Sequence, residues 1–144
     1  MSRPPGLLRR LAAIVYDSML VFALLWGATA PLLLLTRGQA IAPENPLYFL
    51  YLVAVVFGYF GWCWTRSGQT LGMKAWRLRV LDADGARLDW RQAAARFAGA
   101  LVSWLAAGAG FAWVLVDRDG LAWHDRWSGT VLAVVPRPER GREG

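Results

Sequence analysis

The sequence predicts an all-α integral membrane protein with two transmembrane helices, a third helix that either crosses fully or re-enters, and a short cytoplasmic β-hairpin-like loop. Of its 144 residues, 56% are hydrophobic, which is high for a water-soluble protein. Three runs contain no charged residue, at 18–36, 45–65 and 97–116. Each run reaches the ~18 to 20 residues that one helix needs to cross a ~30 Å hydrocarbon layer.

The first run is predicted to be an uncleaved span rather than a signal peptide. Its apolar stretch extends from Leu11 to Leu35, whereas the apolar core of a cleaved signal has ~7 to 15 residues. Most of the nine tryptophans lie near the ends of the runs, where indole prefers the headgroup zone. We therefore predict one membrane domain over residues 8–135, between flexible basic termini at 1–7 and 136–144.

The basic residues predict the orientation of the chain. Arg3, Arg9 and Arg10 precede the apolar stretch that begins at Leu11, with no acid among them, and the link 66–92 carries six basic residues, whereas the link 37–46 carries one base and one acid. Because basic residues concentrate on the cytoplasmic side, the N-terminus and the link 66–92 are predicted to be cytoplasmic. The bias toward Ala, Gly, Arg and Trp suggests a bacterial source, so we expect the bacterial inner (cell) membrane.

The third run leaves two topologies open. A single crossing would place the five arginines that follow it outside, against the positive-inside rule, although five acids share that tail. The run also contains Gly108-Ala109-Gly110, and glycine is a poor helix former. The alternative is a helix that dips in, breaks near Gly108 and returns to the cytoplasmic side, and this alternative is slightly favoured. A broken helix at membrane depth must be covered by protein.

The link 66–92 contains a predicted strand and turn. Apolar residues alternate with arginines over 76–80, which is the period of two that a strand shows. Asp84-Gly85 is a favoured turn because glycine accepts a positive φ at low cost. We therefore predict that the strand folds back onto residues 87–88 as a hairpin on the membrane surface.

Three separate motifs resemble a known family. They read RRLAAIVYD at the first span, SGQTLGMKAWRLRVLDADG after the second and LAWHDRWSGTVLAVV near the end. In this order, and over about residues 8–135, they resemble the RDD family of small bacterial membrane proteins, named for one arginine and two aspartates. For that family, transport of ions or small ligands has been proposed, and some relatives resemble assembly partners of other membrane proteins.

The resemblance implies roles for single residues. Arg10 would be the family's arginine at the start of the first helix, Asp17 the aspartate within that helix, and Asp125 the candidate for the second aspartate. The residues that match the remaining motifs are predicted to form the family's cytoplasmic face: Gln69, Thr70, Gly72, Lys74, Asp84, Gly85, His124, Asp125, Ser128, Gly129 and Thr130.

Asp17 is the most informative single residue. An ionised carboxylate inside a span costs roughly 2.5 to 3.5 kcal/mol on insertion scales. Arg10 lies seven residues earlier on the same helix face, and Arg96 stands directly before the third run. We expect a buried Asp17 with Arg10 or Arg96 as its counter-ion. The pair either holds helices together or serves the passage of a proton or cation, and neutralisation by protonation is the remaining alternative.

Several chemical classes are disfavoured. His124 and Asp125 are adjacent, so they are poorly placed to act together as acid and base, and we expect them to end a turn and bond the hairpin loop before a strand-like segment over 128–135. One cysteine, Cys63, and one histidine give no metal-ligand spacing. The glycines after the second run lack a phosphate-binding pattern. We expect no enzymatic activity, no cofactor, no metal and no nucleic acid partner, despite the net charge of +6.

Two functions of different class follow. The first is a subunit for transport of ions or small ligands, which uses an intramembrane Asp/Arg site; three helices enclose an aqueous path poorly, so it implies a homo-oligomer or a partner. The second is a structural or adaptor module, in which the same charges fix helix pairing and the cytoplasmic face docks another membrane protein. The lipid bilayer is the expected environment of both.

Overall fold

The computed structural model of the chain describes residues 5–106 and 108–136. The helices and strands follow one another in this order: α1 (Leu7–Leu35), α2 (Pro46–Arg66), α3 (Leu71–Ala75), β1 (Leu78–Asp82), α4 (Trp90–Leu105), α5 (Ala109–Ala112), a 3-10 turn (Trp113–Leu115), α6 (Trp123–Ser128) and β2 (Thr130–Val134). The ends of the predicted flexible termini, 1–4 and 137–144, lie outside the described residues.

Two helices confirm the two predicted membrane spans. α1 has 29 residues and α2 has 21, and both are long and apolar enough to cross a membrane. Large apolar side chains such as Phe22, Trp26, Phe49 and Leu50 are exposed on them. Such surfaces are unfavourable in water and suit contact with lipid. The predicted helical membrane fold is therefore confirmed.

α1 and α2 are joined near the loop that connects them. The Thr29 hydroxyl and the Tyr48 hydroxyl share a hydrogen bond of 2.9 Å, and the Tyr51 hydroxyl donates to the Ala28 carbonyl at 3.0 Å. Asn45 caps α2, since its side chain accepts from the backbone N–H of Leu47. These contacts fix the end of the helix pair that lies opposite the start of α1.

The third apolar run is broken where the glycines predicted a break. α4 and the helical segment Ala109–Leu115 meet at 108°, and Gly108 has φ +81°, a conformation that costs glycine little. After the break the chain returns, because α6 packs on α4 and β2 pairs with β1. This course matches the re-entrant alternative, in which the segment leaves at the end where it entered.

The predicted hairpin is wrong in its second strand. β1 confirms the strand, and Gly85 lies in the turn after it with φ +82°, but residues 87–88 form no strand. β1 instead pairs antiparallel with β2 over Leu78–Asp82 and Thr130–Val134, so the strand-like segment predicted near 128–135 is its partner. The apolar side chains of β1 explain the difference, because Leu78 and Val80 are fully buried and short local pairing over 87–88 would leave them uncovered.

The core lies where α1 begins, α2 ends and α4 begins, and we call this end of the molecule, near Leu7, Arg66 and Trp90, the base. The buried apolar residues there come from helices and strands alike: Ala13, Trp64, Leu78, Val80, Leu88, Ala93 and Leu132. The sheet therefore covers the base, and the C-terminal segment is part of the core.

Candidate functional site: a buried arginine–aspartate cluster

Asp125 is the centre of the polar contacts at the base. It lies in the first turn of α6, where its Oδ2 accepts a hydrogen bond from the backbone N–H of Ala122 at 3.0 Å. The same oxygen accepts from Arg10 Nη1 at 2.7 Å, and Oδ1 accepts from Arg96 Nη1. The side chain of Asp125 has no exposed surface. One carboxylate thus binds arginines from α1 and from α4.

Both arginines also bind the C-terminal segment elsewhere. Arg10 donates through Nη2 to the carbonyl of Gly120 at 2.9 Å. Arg96 donates to the hydroxyl of Thr130 at 2.9 Å, and that hydroxyl shares a hydrogen bond of 2.6 Å with Ser128. These contacts tie the starts of α1 and α4 to α6 and β2. We call Arg10, Arg96, Asp125 and their hydrogen-bond partners the base cluster.

Burial and charge set the protonation of the base cluster. Burial alone would raise the pKa of Asp125, but the positive charges beside it, above all Arg96, hold that pKa well below its usual value. Burial, together with the charge of Arg96, lowers the pKa of His124 to about 3. At neutral pH the arginines are positive, Asp125 is negative and His124 is uncharged. The cluster therefore carries one net positive charge.

Asp17 has no arginine partner, so the expected ion pair is wrong. Its Oδ2 accepts from the Thr70 hydroxyl at 2.5 Å, and its Oδ1 accepts from the backbone N–H of Gly72 at 2.9 Å. Among the residues at 5–106 and 108–136, Asp17 makes no salt bridge within 4.0 Å. Arg10 and Asp17 are seven positions apart, about 10 Å along the helix, and Asp125 offers Arg10 a nearer carboxylate.

Gly72 allows α3 to lie against α1. A Cβ atom at Gly72 would stand 2.5 Å from the carbonyl oxygen of Ala13 and 2.8 Å from Cγ of Asp17. Thr70 has two partners, because its hydroxyl also accepts from the backbone N–H of Met73 and so caps α3. The buried Asp17 thus holds the segment after α2 onto the first span.

The other residues of the motif after the second run hold the fold together or lie on its surface. Gln69 donates from its side-chain amide to the carbonyl of Leu78 at 2.6 Å, which fixes the start of β1. Lys74 is exposed, and no salt bridge involves it within the described part of the chain. Asp84 and Gly85 lie in the exposed turn after β1, apart from the base cluster.

His124 and Asp125 do not bond the turn after β1, which corrects the role predicted for them. His124 lies in α6 with its ring centre 5.1 Å from that of Phe111, and its Nε2 is 3.5 Å from Oδ1 of Asp125. Ser128 donates to the His124 carbonyl at 2.6 Å, and Gly129 ends α6 with φ +64°. The motif residues predicted near the end of the chain therefore come together around the base cluster: His124, Asp125, Ser128, Gly129 and Thr130.

The sequence did not predict a role for Trp64 at this site. It is buried at the end of α2, and the guanidinium carbon of Arg96 lies 5.3 Å from the centre of its ring. Such a cation–aromatic contact stabilises a buried arginine. Tryptophans near span ends are common, so nothing in the sequence separates Trp64 from Trp62, which is exposed.

A cavity of about 330 Å³ lies between α1 and the pair α2 and α4. At the base its walls include Arg10, Asp17, Arg96 and His124, and farther along they are apolar, for example Val21 and Val56. Its volume is at the lower end of the range of ~300 to 1,000 Å³ that small-molecule sites occupy. The polar residues of the base thus lie at one end of an apolar cavity.

The two long apolar helices, the bent third segment and the base cluster define a small membrane protein in which buried charges join the start of α1 to the C-terminal segment. The model of the RDD family matches residues 4–129, which is most of the chain. The protein therefore belongs to the RDD family. Searches of curated proteins and of solved structures each returned no match.

Proposed function

We propose that this protein is a structural or adaptor module of the cell membrane, without enzymatic activity. In this proposal the buried charges hold the helices, and the surface around β1 docks another membrane protein. The observation that carries it is the double engagement of Asp125, which binds arginines from two helices while its own helix belongs to a third part of the chain.

The contacts of Asp17 and Asp125 support a structural role better than a role in ion transport. A residue that couples ion passage exchanges partners or protons, whereas both oxygens of Asp125 and both oxygens of Asp17 already accept hydrogen bonds. Removing one partner from such a pair costs much more than the pair contributes on balance. These buried residues therefore stabilise one arrangement of the helices.

The basic surface of the base supports docking at a membrane face. Lys74, Arg79, Arg87 and Arg91 are exposed there, and each basic residue near an anionic leaflet contributes about 1 kcal/mol of attraction. We propose that the base is cytoplasmic and lies in the bacterial inner membrane, with the N-terminus on the same side. Acidic juxtamembrane segments are the complementary partners for such a surface.

Transport of ions or small ligands is the second candidate. The observation that favours it is the cavity, because Arg10, Asp17, Arg96 and His124 all contribute to its walls at the base. The apolar walls beyond them do not offer an ion a polar path, so a transport function would require a homo-oligomer or a partner to complete one.

Flux measurements separate the two candidates. Proton and cation flux is measured in proteoliposomes with wild-type protein and with Asp17→Asn at matched reconstitution. The adaptor proposal expects neither protein to conduct above empty liposomes. Flux in the wild type that vanishes in Asp17→Asn would establish transport and overturn the adaptor proposal.

Crosslinking in native membranes tests docking directly. We expect a defined crosslinked species in wild-type membranes that is lost when Arg87→Glu and Arg91→Glu reverse the charge of the base surface. Arg37→Glu at the opposite end of the spans is the matched control and should leave the species intact. Equal loss in the control, or no species at all, would contradict docking at the base.

A further inference from the structure

Two buried donors beside the cavity have no acceptor. Trp64 Nε1 and Arg96 Nε are buried without a hydrogen-bond partner in the described part of the chain, and both side chains contribute to the cavity wall. Trp64 is 5% exposed and Arg96 is 2% exposed. An indole N–H and a guanidinium Nε–H can only donate, and leaving such groups unpaired in a buried site is costly. Both therefore favour a ligand with acceptor oxygens.

A third nitrogen belongs to the same wall. His124 Nδ1 is also buried without a partner among the described residues, and His124 lines the cavity. It donates in one tautomer of the neutral ring. All three nitrogens are enclosed in the present arrangement, so a ligand reaches them with a small movement of the side chains.

The charge at this end of the cavity favours an anion. Arg10 and Arg96 carry two positive charges and Asp125 one negative charge, so the base cluster retains one uncompensated positive charge. Asp17, which does line the cavity, lies about 10 Å farther along α1 than Arg10 and is held by Thr70 and Gly72.

The length of the cavity fits one leaflet of a membrane. Its wall on α1 runs from Leu7 to Val21, and the part from Arg10 of the base cluster to Val21 is about 16 Å long at 1.5 Å per residue. Half of a ~30 Å hydrocarbon layer is about 15 Å. About 10 Å beyond Val21 along α1, hydrogen bonds at Ala28 and Thr29 join this helix to α2.

We propose that this cavity binds one acyl chain of an anionic phospholipid, with the head-group phosphate oxygens accepting hydrogen bonds from Trp64 and Arg96. The acyl chain lies along the apolar wall between α1 and α4, and the phosphate lies at the base cluster. This binding site goes beyond the adaptor function and does not depend on it.

Photolabelling in phosphatidylcholine nanodiscs tests the proposal. The probe is lysophosphatidylglycerol with a diazirine on its chain, and labelled residues are identified by mass spectrometry. We expect saturable labelling of cavity residues such as Phe97, competed about tenfold better by unlabelled lysophosphatidylglycerol than by lysophosphatidylcholine. Inorganic phosphate at the same concentration should not compete. Even labelling over the outer faces of α1 and α2, or equal competition by phosphate alone, would overturn the proposal.

Two neighbouring positions on α4 provide matched variants. Ala100 lines the cavity, whereas Ala98 is exposed and does not. Ala100→Phe should reduce the saturable labelling about tenfold by filling the cavity, and Ala98→Phe should leave it unchanged. Equal effects of the two variants would contradict binding inside the cavity.

Trp64→Phe tests the head-group contact without filling the cavity. It removes one unpaired N–H and keeps an aromatic ring beside Arg96, so the protein should still fold even if Ala100→Phe does not. We expect it to reduce the preference for lysophosphatidylglycerol over lysophosphatidylcholine about three- to tenfold. An unchanged preference would overturn the assignment of the phosphate to Trp64 and Arg96.

Discussion

At the scale of single residues, Asp125 joins parts of the chain that are far apart in sequence. Arg10 and Arg96 are 115 and 29 residues away from it. Charges in such a setting are costly to bury and are tolerated only with good geometry and further hydrogen bonds. The hydrogen bonds from Ala122 to Asp125 and from Arg96 to Thr130 supply them.

Asp125→Asn should strongly destabilise the protein. The neutral amide leaves two buried guanidinium groups without a countercharge, and breaking a buried pair in this way costs about 3 to 5 kcal/mol. The free energy of unfolding is measured by denaturant titration in mild detergent. Asp119→Asn is the control, because the Asp119 side chain is 70% exposed and should matter by less than about 1 kcal/mol. Similar losses in both variants would contradict the central position of Asp125.

Gly72→Ala should loosen the attachment of α3 to α1. The added methyl group would meet backbone at Ala13 and the Asp17 carboxylate at distances below 3.0 Å, and overpacking of this kind costs about 1 to 3 kcal/mol. Gly58→Ala is the matched control, since nothing lies within 4 Å of a Cβ there. The free energy of unfolding is measured by the same denaturant titration, and equal losses in the two variants would refute the close contact at Gly72.

The lowered pKa of His124 predicts that the folded protein loses stability in mild acid. Its pKa falls from the ordinary 6.5 to about 3 in the folded protein, so between these values the unfolded chain binds a proton that the folded chain does not. Stability is therefore complete above pH 6.5 and decreases as the pH falls toward 3, by up to about 1.4 kcal/mol per pH unit.

Unfolding titrations at pH 7 and pH 4.5 check this sign. Asp125 contributes little in that window, because its carboxyl is mostly ionised above pH 4.5 both in the unfolded chain, with its ordinary pKa of 3.8, and in the folded protein, where the pKa is lower. His124→Gln cannot bind the proton, so we expect the pH dependence in this window to become much weaker. An equal slope in wild type and variant would show that another group is responsible.

The sequence predicted which charged residues matter better than it predicted their pairing. A carboxylate inside an apolar run must be buried or paired, so Asp17 was identifiable, and Arg10 and Arg96 lie beside such runs. The pairing depends on where the C-terminal segment returns, and residue spacing along the chain does not encode that position. The same reason hides Trp64, whose contact with Arg96 exists only after α2 and α4 pack.

At the scale of elements, the base is closed by a sheet made of distant segments. The alternation over 76–80 was sufficient to predict β1, because the period of two marks a strand whatever its partner. The partner was not predictable from the Asp84-Gly85 turn, since burial of Leu78 and Val80 against the core favours the long-range pairing.

A pair of cysteines can verify the register of this sheet. Arg79 and Ala133 are paired, and Cα atoms of directly opposed antiparallel residues are about 4.5 to 5.5 Å apart, within reach of a disulfide. In a Cys63→Ala background, Arg79→Cys with Ala133→Cys should crosslink on oxidation, detected by a mobility shift. Arg79→Cys with Trp90→Cys, the pair expected for a local hairpin, should not. Crosslinking of the second pair alone would mean that β1 pairs locally and would contradict its pairing with β2.

At the scale of the whole molecule, the base cluster requires the chain to come back after α4. Asp125 can reach Arg10 and Arg96 only if residues 117–125 lie at the end where α1 begins. The glycines at 108 and 110 predicted the break, and the arginines that follow predicted that the chain returns to the side of the membrane where the segment entered. A membrane segment that enters and leaves at one end is the structural condition for the cluster.

Accessibility of single cysteines to a membrane-impermeant maleimide tests this condition most directly. In a Cys63→Ala background, Arg87→Cys reports the base, Gln39→Cys the opposite end and Arg118→Cys the segment after the break, and all three positions are exposed. We expect the cysteine at 118 to be labelled from the same side of the membrane as the one at 87, and from the side opposite to the one at 39. Labelling of 118 together with 39 would mean a full third crossing, which would separate Asp125 from Arg10 and contradict the base cluster.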